Sequence, residues 1–437
     1  MTMKQYNRTF EGNHIYEIIR KTAGYIMEVD MSQDKSISVY NEIGKLKTVL
    51  LHCPGTEVEN IVPEHLRRLL FDEIVYLEQA QKEHNQFADI LRKEGVEILY
   101  LTDLMSDILA DKNIRDEFLM EFMIEGKIVT PGLQVAVKEF FGSYAEGELA
   151  GKCIAGVRQE ELKHFKPETL GDMIKNAYPF YLDPIPNMYF QRDPFASIGQ
   201  GISLNVMANE TRNRETIFAK YIFNYHPRFK NVPRWYNRDK THPIEGGDIL
   251  ILSDKVVAIG ISDRTSPIAI ERVAQRLLQS EESFDTVLAF DIPKRRAYMH
   301  LDTVFTMVDY DQFTIYPGIE EPLDVYSIIR GGNNELDIKY EHRDLPDILK
   351  EHLKLPAVNL IRCGDGDRIA ASREQWSDGS NTLAISPGKV VCYNRNSVTN
   401  NALRRNNIEV LEFDSYELSR GRGGPRCMSM PLVRDRL

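Results

Sequence analysis

Residues 247–262 read GDILILSDKVVAIGIS, and residues 380–395 read SNTLAISPGKVVCYNR. Each is an apolar run, a tight turn carrying a lysine and a second apolar run, the pattern of a β-hairpin. Residues 302–317, DTVFTMVDYDQFTIYP, share the outline with DYDQ as the turn. Helical text follows the first hairpin (TSPIAIERVAQRLLQ) and the last (SVTNNALRR), and a further strand follows each helix, FDTVLAFDIP or IEVLEFD. A recurring hairpin–helix–strand unit predicts an α/β fold of repeated units, closed or propeller-like, rather than one open parallel sheet.

Outward from these units the texture changes twice. Between residues 105 and 175, segments such as DLMSDILADKNIRDEFLMEFMIEG and QEELKHFKPETLGDMIKNAY carry apolar residues at helical spacing with few β-branched runs. This stretch predicts an inserted all-helical domain of four or five helices. It leaves residues 36–104 and 176–437 for the α/β part, whose first clear unit is SVYNEIGKLKTVLLHCPG. Residues 1–35 fit the rest poorly and read as an N-terminal extension, with Met31 a candidate start.

The 437 residues are 42% hydrophobic and 27% charged, enough for a sizeable core. A formal net charge of −11 argues against nucleic-acid or anionic-lipid partners and leaves room for a cationic small molecule. No apolar run approaches the roughly eighteen residues of a membrane span, and the first thirty residues are too polar for a secretory signal. A cytoplasmic location is the expectation. The five cysteines lie far apart without a CxxC pair, and the histidines show no HxxxH, so neither a metal nor a disulfide framework is expected.

Polar residues gather in turn-rich segments. PNMYFQRDPFASIG (186–199) holds Asn187, Arg192 and Asp193; HPIEGGDILIL (242–252) holds Glu245 and Asp248; YMHLDTVFTMV (298–308) holds His300 and Asp302. Read as a strand start, the last pair would share a face and converge on one pocket. Near the C-terminus, GRGGPRCMSM (421–430) brings glycines and arginines up to Cys427. Taken singly these residues have ordinary readings: an Asp before Pro caps turns, and a free Cys fills core. Together, a thiol, a histidine and several carboxylates suit a cationic substrate. Carboxylates raise a thiol pKa and repel an oxyanion, but two of them can grip a planar guanidinium. Attack on its resonance-stabilised carbon calls for covalent catalysis with a histidine moving the protons.

The segments GKLKTVLLHCPG, LLFDEIVYLEQAQKEH, PNMYFQRDPFASIG, IEGGDILIL, MHLDTVFTM, RCGDGD, YNRNSVTN and SRGRGGPRCMSMP occur here in the order found in a known family. From about Val39 onward the chain closely resembles the arginine deiminases, guanidino-group modifying enzymes with the pentein fold, a five-bladed α/β propeller. The helical insertion marks that family within its superfamily. The resemblance implies hydrolysis of L-arginine to L-citrulline and ammonia through a Cys-bound thiouronium, without cofactor or metal. It implies Cys427 as nucleophile, His300 as acid/base, Asp193 and Asp302 as guanidinium holders and Glu245 as the partner of the histidine. Arg212, Arg264 and Arg422 would hold the substrate carboxylate, Asn187 would contact the same end, and Phe190 would wall the pocket. Dimers or larger homo-oligomers are expected by resemblance. A deiminase for another guanidino compound, or an inactive arginine-binding or surface protein on the same scaffold, are the alternatives.

Overall fold

The hairpin expected at 247–262 forms between strands Ile249–Ile251 and Val256–Ile261, with Ile249 opposite Ile259. Ser253 closes its turn, the hydroxyl accepting from the amides of Lys255 and Val256 at 3.2 Å each. Helix Pro267–Gln279 follows, started by Ser266, whose side chain accepts from the Ala269 amide, and by a proline at the first position. Its buried face is Ala269, Ile270, Val273, Ala274, Leu277 and Leu278, the three-and-four spacing that a core-facing helix needs. Strand Thr286–Asp291 then returns parallel to Val256–Ile261. The unit at 380–414 repeats the plan: hairpin Leu383–Ser386 and Lys389–Tyr393, helix Ser397–Arg405, parallel strand Glu409–Phe413.

The structure is a computed structural model describing residues 36–437 apart from 168, 174–177, 239–240 and 320–322. The expectations for residues 1–35, including the candidate start at Met31, lie outside the described residues.

Three more sheets among the described residues share the plan. Strands Phe195–Ile198 and Gly201–Leu204 form a hairpin, and Arg234–Tyr236 returns parallel after helix Glu215–Tyr225. Strands Phe305–Met307 and Gln312–Ile315 are joined by Asn359–Arg362 after helix Leu345–Leu353. In the remaining one, Leu46–Leu51 runs parallel to Glu97–Tyr100, and its antiparallel partner is Met430–Arg434 from the other end of the chain. The fold is thus mixed α/β, with the opening and closing strands in one sheet. A hairpin that the sequence reading did not anticipate, Asp324–Arg330 with Leu336–Glu341, extends the sheet of Thr286–Asp291 to five strands. The second of its strands, LDIKYE, alternates apolar with charged residues and buries none of them fully, so it lacks the continuous apolar run that marks the other hairpins.

Helices Leu101–Leu109, Lys112–Glu125, Pro131–Gly142 and Glu146–Ala155, with short Leu170–Met173 beyond them, lie in the stretch that read as all-helical, which also holds strand Val157–Arg158 paired antiparallel with Phe180–Leu182. Asp111 caps the second, accepting from the Asn113 and Ile114 amides. Phe118 and Phe122 of that helix pack edge-on against Phe218 of helix Glu215–Tyr225, which ties the helical stretch to the neighbouring sheet unit. No helix among the described residues is long and apolar enough to cross a membrane.

Candidate active site

Turns at the ends of several units deliver the polar residues. Asp193 follows the short turn Pro186–Tyr189, Glu245 precedes the turn Gly246–Asp248, and His300 precedes the turn Leu301–Thr303. His300 and Asp302 therefore do not sit on a strand. The turn sends them to different partners: His300 Nε2 lies 2.7 Å from Glu245 Oε2, and Asp302 Oδ2 accepts from Arg426 Nη1 at 2.8 Å. Cys427 is fixed through its backbone. Its amide donates to Asn381 Oδ1 at 3.0 Å, and its carbonyl accepts from the Arg192 amide at 3.0 Å.

A cavity of about 460 Å³ opens among these turns, and Asn187, Phe190, Asp193, Arg212, Arg264, His300, Arg422 and Cys427 all line it. Glu245 and Asp302 stand behind its wall, both 0% exposed. Glu245 Oε1 accepts from the Ala208 amide at 2.9 Å, while Oε2 serves His300. Asp193 Oδ2 pairs with Arg212 at 3.0 Å, and its Oδ1, 3.8 Å from His300 Nδ1, is buried without a hydrogen-bond partner.

The arginines differ from one another. Arg212 is held by Glu215 through two hydrogen bonds of 2.9 and 2.8 Å as well as by Asp193, so its charge is largely answered inside the protein. Arg264 lies 3.6 Å from Glu245 and keeps a buried Nη1 without a hydrogen-bond partner. Arg422 takes a left-handed backbone at φ 64°, stacks 3.3 Å over the Trp376 ring and has a buried Nε without a partner. Asn187 spends its side-chain amide on the Leu69 carbonyl at 2.9 Å. Phe190 packs on Tyr189, and the glycine loop explains itself against the same rings. A Cβ on Gly421 would run into the Tyr189 hydroxyl, and one on Gly423 into the Phe190 ring. Those glycines make room for the cavity wall.

The electrostatics follow from burial and these neighbours. Burial alone would lower the His300 pKa, but Asp193 and the Glu245 hydrogen bond outweigh it and hold the imidazole up at about 9. Burial would raise the Glu245 carboxyl, yet Arg264, His300 and Arg212 keep it below the usual range. The Cys427 thiol is pushed well above its ordinary value by burial and then by Asp302, Asp193 and Asp378, with Arg426 opposing. Asp193, Glu245 and His300 present donor atoms within 4.8 Å of one another, a spacing that a metal ion could span. A protonated imidazole bound to a carboxylate that also faces two arginines is a poor ligand set for a cation.

Sequence reasoning singled out neither Glu42 nor Arg426, which lie behind the thiol. Glu42 is 384 residues from Arg426 in the chain, so no local spacing could have joined them; adjacency to Cys427 was the one available signal for Arg426.

The fold is mixed α/β, and its cavity gathers the Cys427 thiol, the His300 imidazole, the Asp193 carboxylate and the guanidinium groups of Arg212, Arg264 and Arg422. The arginine deiminase family model matches residues 67–434, and the chain belongs to that family. An arginine deiminase of Clostridium perfringens is 53% identical over 93% of this chain and 100% of its own length. One from Bacillus cereus is 52% identical, covering 91% and 98%. Among solved structures, an amidinotransferase of Microseira wollei from saxitoxin biosynthesis shares the fold at 15% identity and a TM-score of 0.51, over 92% of this chain and 98% of its own.

Proposed function

We propose that this chain hydrolyses L-arginine to L-citrulline and ammonia, with Cys427 as nucleophile. One observation carries the reading. The same cavity holds a buried carboxylate oxygen with no hydrogen-bond partner, Asp193 Oδ1, and buried guanidinium nitrogens with none, Arg264 Nη1 and Arg422 Nε. Unpaired buried groups of both signs are costly, and a guanidino amino acid supplies the complement to each. Family membership supports the same substrate.

In this reading Asp193 holds the guanidinium from the cavity wall. Asp302 holds it from beside Cys427 through Oδ1, the oxygen that Arg426 leaves free. The positive charge of the guanidinium offsets the carboxylates that keep the thiol protonated. Cys427 then gives its proton to solvent as the guanidinium binds, and the thiolate sulfur bonds to the guanidinium carbon. His300, protonated beside Glu245, gives its proton to the departing nitrogen, and ammonia leaves with the C–N electron pair. A water activated by the now neutral imidazole adds to the same carbon, the C–S bond breaks, and citrulline departs. Arg264 and Arg422 take the substrate carboxylate, with Arg212 acting nearer Asp193 and with Asn187 and Phe190 shaping the wall. A substrate without a carboxylate would leave Arg264 Nη1 and Arg422 Nε without a hydrogen-bond acceptor, which favours arginine over other guanidino compounds.

The five like sheets are read as closing into a five-bladed propeller, with residues 105–175 as an inserted helical domain. The sheet shared by the first and last strands supports closure. Association into dimers or larger assemblies and a cytoplasmic location rest on the resemblance and the composition. The test is incubation with L-arginine, assaying citrulline and ammonia, with Cys427→Ser as control. Stoichiometric release of both by the wild type alone is expected, and absence of citrulline would sink the reading.

A further inference from the structure

Arg426 is the largest fully buried side chain among the described residues, 1% exposed, directly before the thiol. A guanidinium there needs a strong reason, because an unanswered buried cation is among the costliest groups in a protein. Each of its three nitrogens has a partner. Nε and Nη2 donate to the two oxygens of Glu42 at 3.1 Å each, Nη2 also to the Ile249 carbonyl at 2.8 Å, and Nη1 to Asp302 Oδ2 at 2.8 Å. Glu42 is anchored in turn by the Ile251 amide at 3.0 Å and also faces Arg192 and Arg434. Asp302, at the other end of the fork, lies 3.7 and 3.9 Å from Cys427 Sγ.

We propose that Glu42 and Arg426 are a positioning unit behind the nucleophile: Glu42 fixes the Arg426 fork, and Arg426 fixes the carboxylate of Asp302 against Cys427. The unit also sets the charge at the thiol. Arg426 is the cation that opposes Asp302, Asp193 and Asp378, and Glu42 takes up part of its charge. The inference rests on Cys427 being the nucleophile, but its alkylation arms need no turnover, so they fail separately from the proposed reaction.

The measurement is the rate at which iodoacetamide alkylates Cys427 at one fixed pH, followed on its own peptide by mass spectrometry. Glu42→Gln keeps the shape and removes the competing charge, so alkylation should run about tenfold faster, the ratio that one unit of thiol acidity gives. Arg426→Met should run slower by a similar factor. Opposite changes are the mark of a charge acting on the thiol; a purely structural pair would move both variants the same way or neither. Arg426→Met leaves two buried carboxylates without their cation, and should it fail to fold, Glu42→Gln decides alone, since an unchanged or slower rate there overturns the proposal. Arg426→Lys retains the charge without the fork. It should alkylate near the wild-type rate while kcat for arginine falls about tenfold or more, and a wild-type kcat would contradict the positioning role.

Discussion

Cys427 Sγ lies 3.7 Å from Asp302 Oδ2, so the thiol has a carboxylate as its close neighbour. Negative charge at that distance disfavours the thiolate, and the sulfur waits in its protonated form for a cation. Free protein should therefore be alkylated by neutral iodoacetamide only well above the ordinary thiol midpoint of about 8.5. Adding a guanidinium compound too short to reach Arg264 and Arg422 should lower that midpoint. A midpoint below the ordinary value in the free protein would contradict the arrangement.

Arg264 and Arg422, which line the cavity, each have a buried nitrogen with no hydrogen-bond partner. A charge-assisted hydrogen bond contributes about 1.5–3 kcal/mol. Arg264→Ala and Arg422→Ala should each raise KM for arginine roughly 10- to 100-fold and change it little for agmatine, which lacks the carboxylate. Equal losses on both compounds would place these residues elsewhere in the mechanism.

The His300–Glu245 pair predicts a pH dependence of stability. The His300 pKa rises from 6.5 to about 9 on folding, so its contribution is complete below pH 6.5 and is lost as pH climbs through about 9. The Glu245 carboxyl is lowered from 4.5 to about 2 on folding, so denaturant midpoints of wild type and Glu245→Gln should differ most between pH 4.5 and 6.5, and the gap should narrow by pH 9. A gap that stays constant over this range would show that the imidazole is not charged in the fold.

Gly423 is filled on its open side by Phe190. Gly423→Ala should push that ring out of place, costing about 1–3 kcal/mol of stability by overpacking and lowering kcat/KM through the damaged wall. Urea unfolding with parallel kinetics checks both, and a variant unaffected in either would remove Phe190 from the site.

Much of this molecule could be read before folding because its units are local. The hairpin at 249–261 and its helix announce themselves by β-branched runs, a serine turn and an amphipathic spacing within some thirty consecutive residues. What the sequence hid are relationships across the whole chain. Leu46–Leu51 finds its antiparallel partner in Met430–Arg434, and Glu42 finds Arg426, through pairings that no window of residues contains. Arg212 was visible as a cation, yet its commitment to Glu215 and Asp193 depends on the first turn of a helix placed beside a loop. The glycines before Cys427 stood out in the sequence, but the rings that Gly421 and Gly423 pack against, Tyr189 and Phe190, lie more than 200 residues away.

The central claim is that Cys427 bonds to the guanidinium carbon of arginine. Rapid acid quench during turnover on saturating L-arginine, followed by mass analysis of the peptide bearing Cys427, tests it directly. The account predicts an adduct equal to arginine less ammonia on that cysteine, absent from Cys427→Ser. Citrulline accumulating while the Cys427 peptide stays unmodified throughout would contradict it.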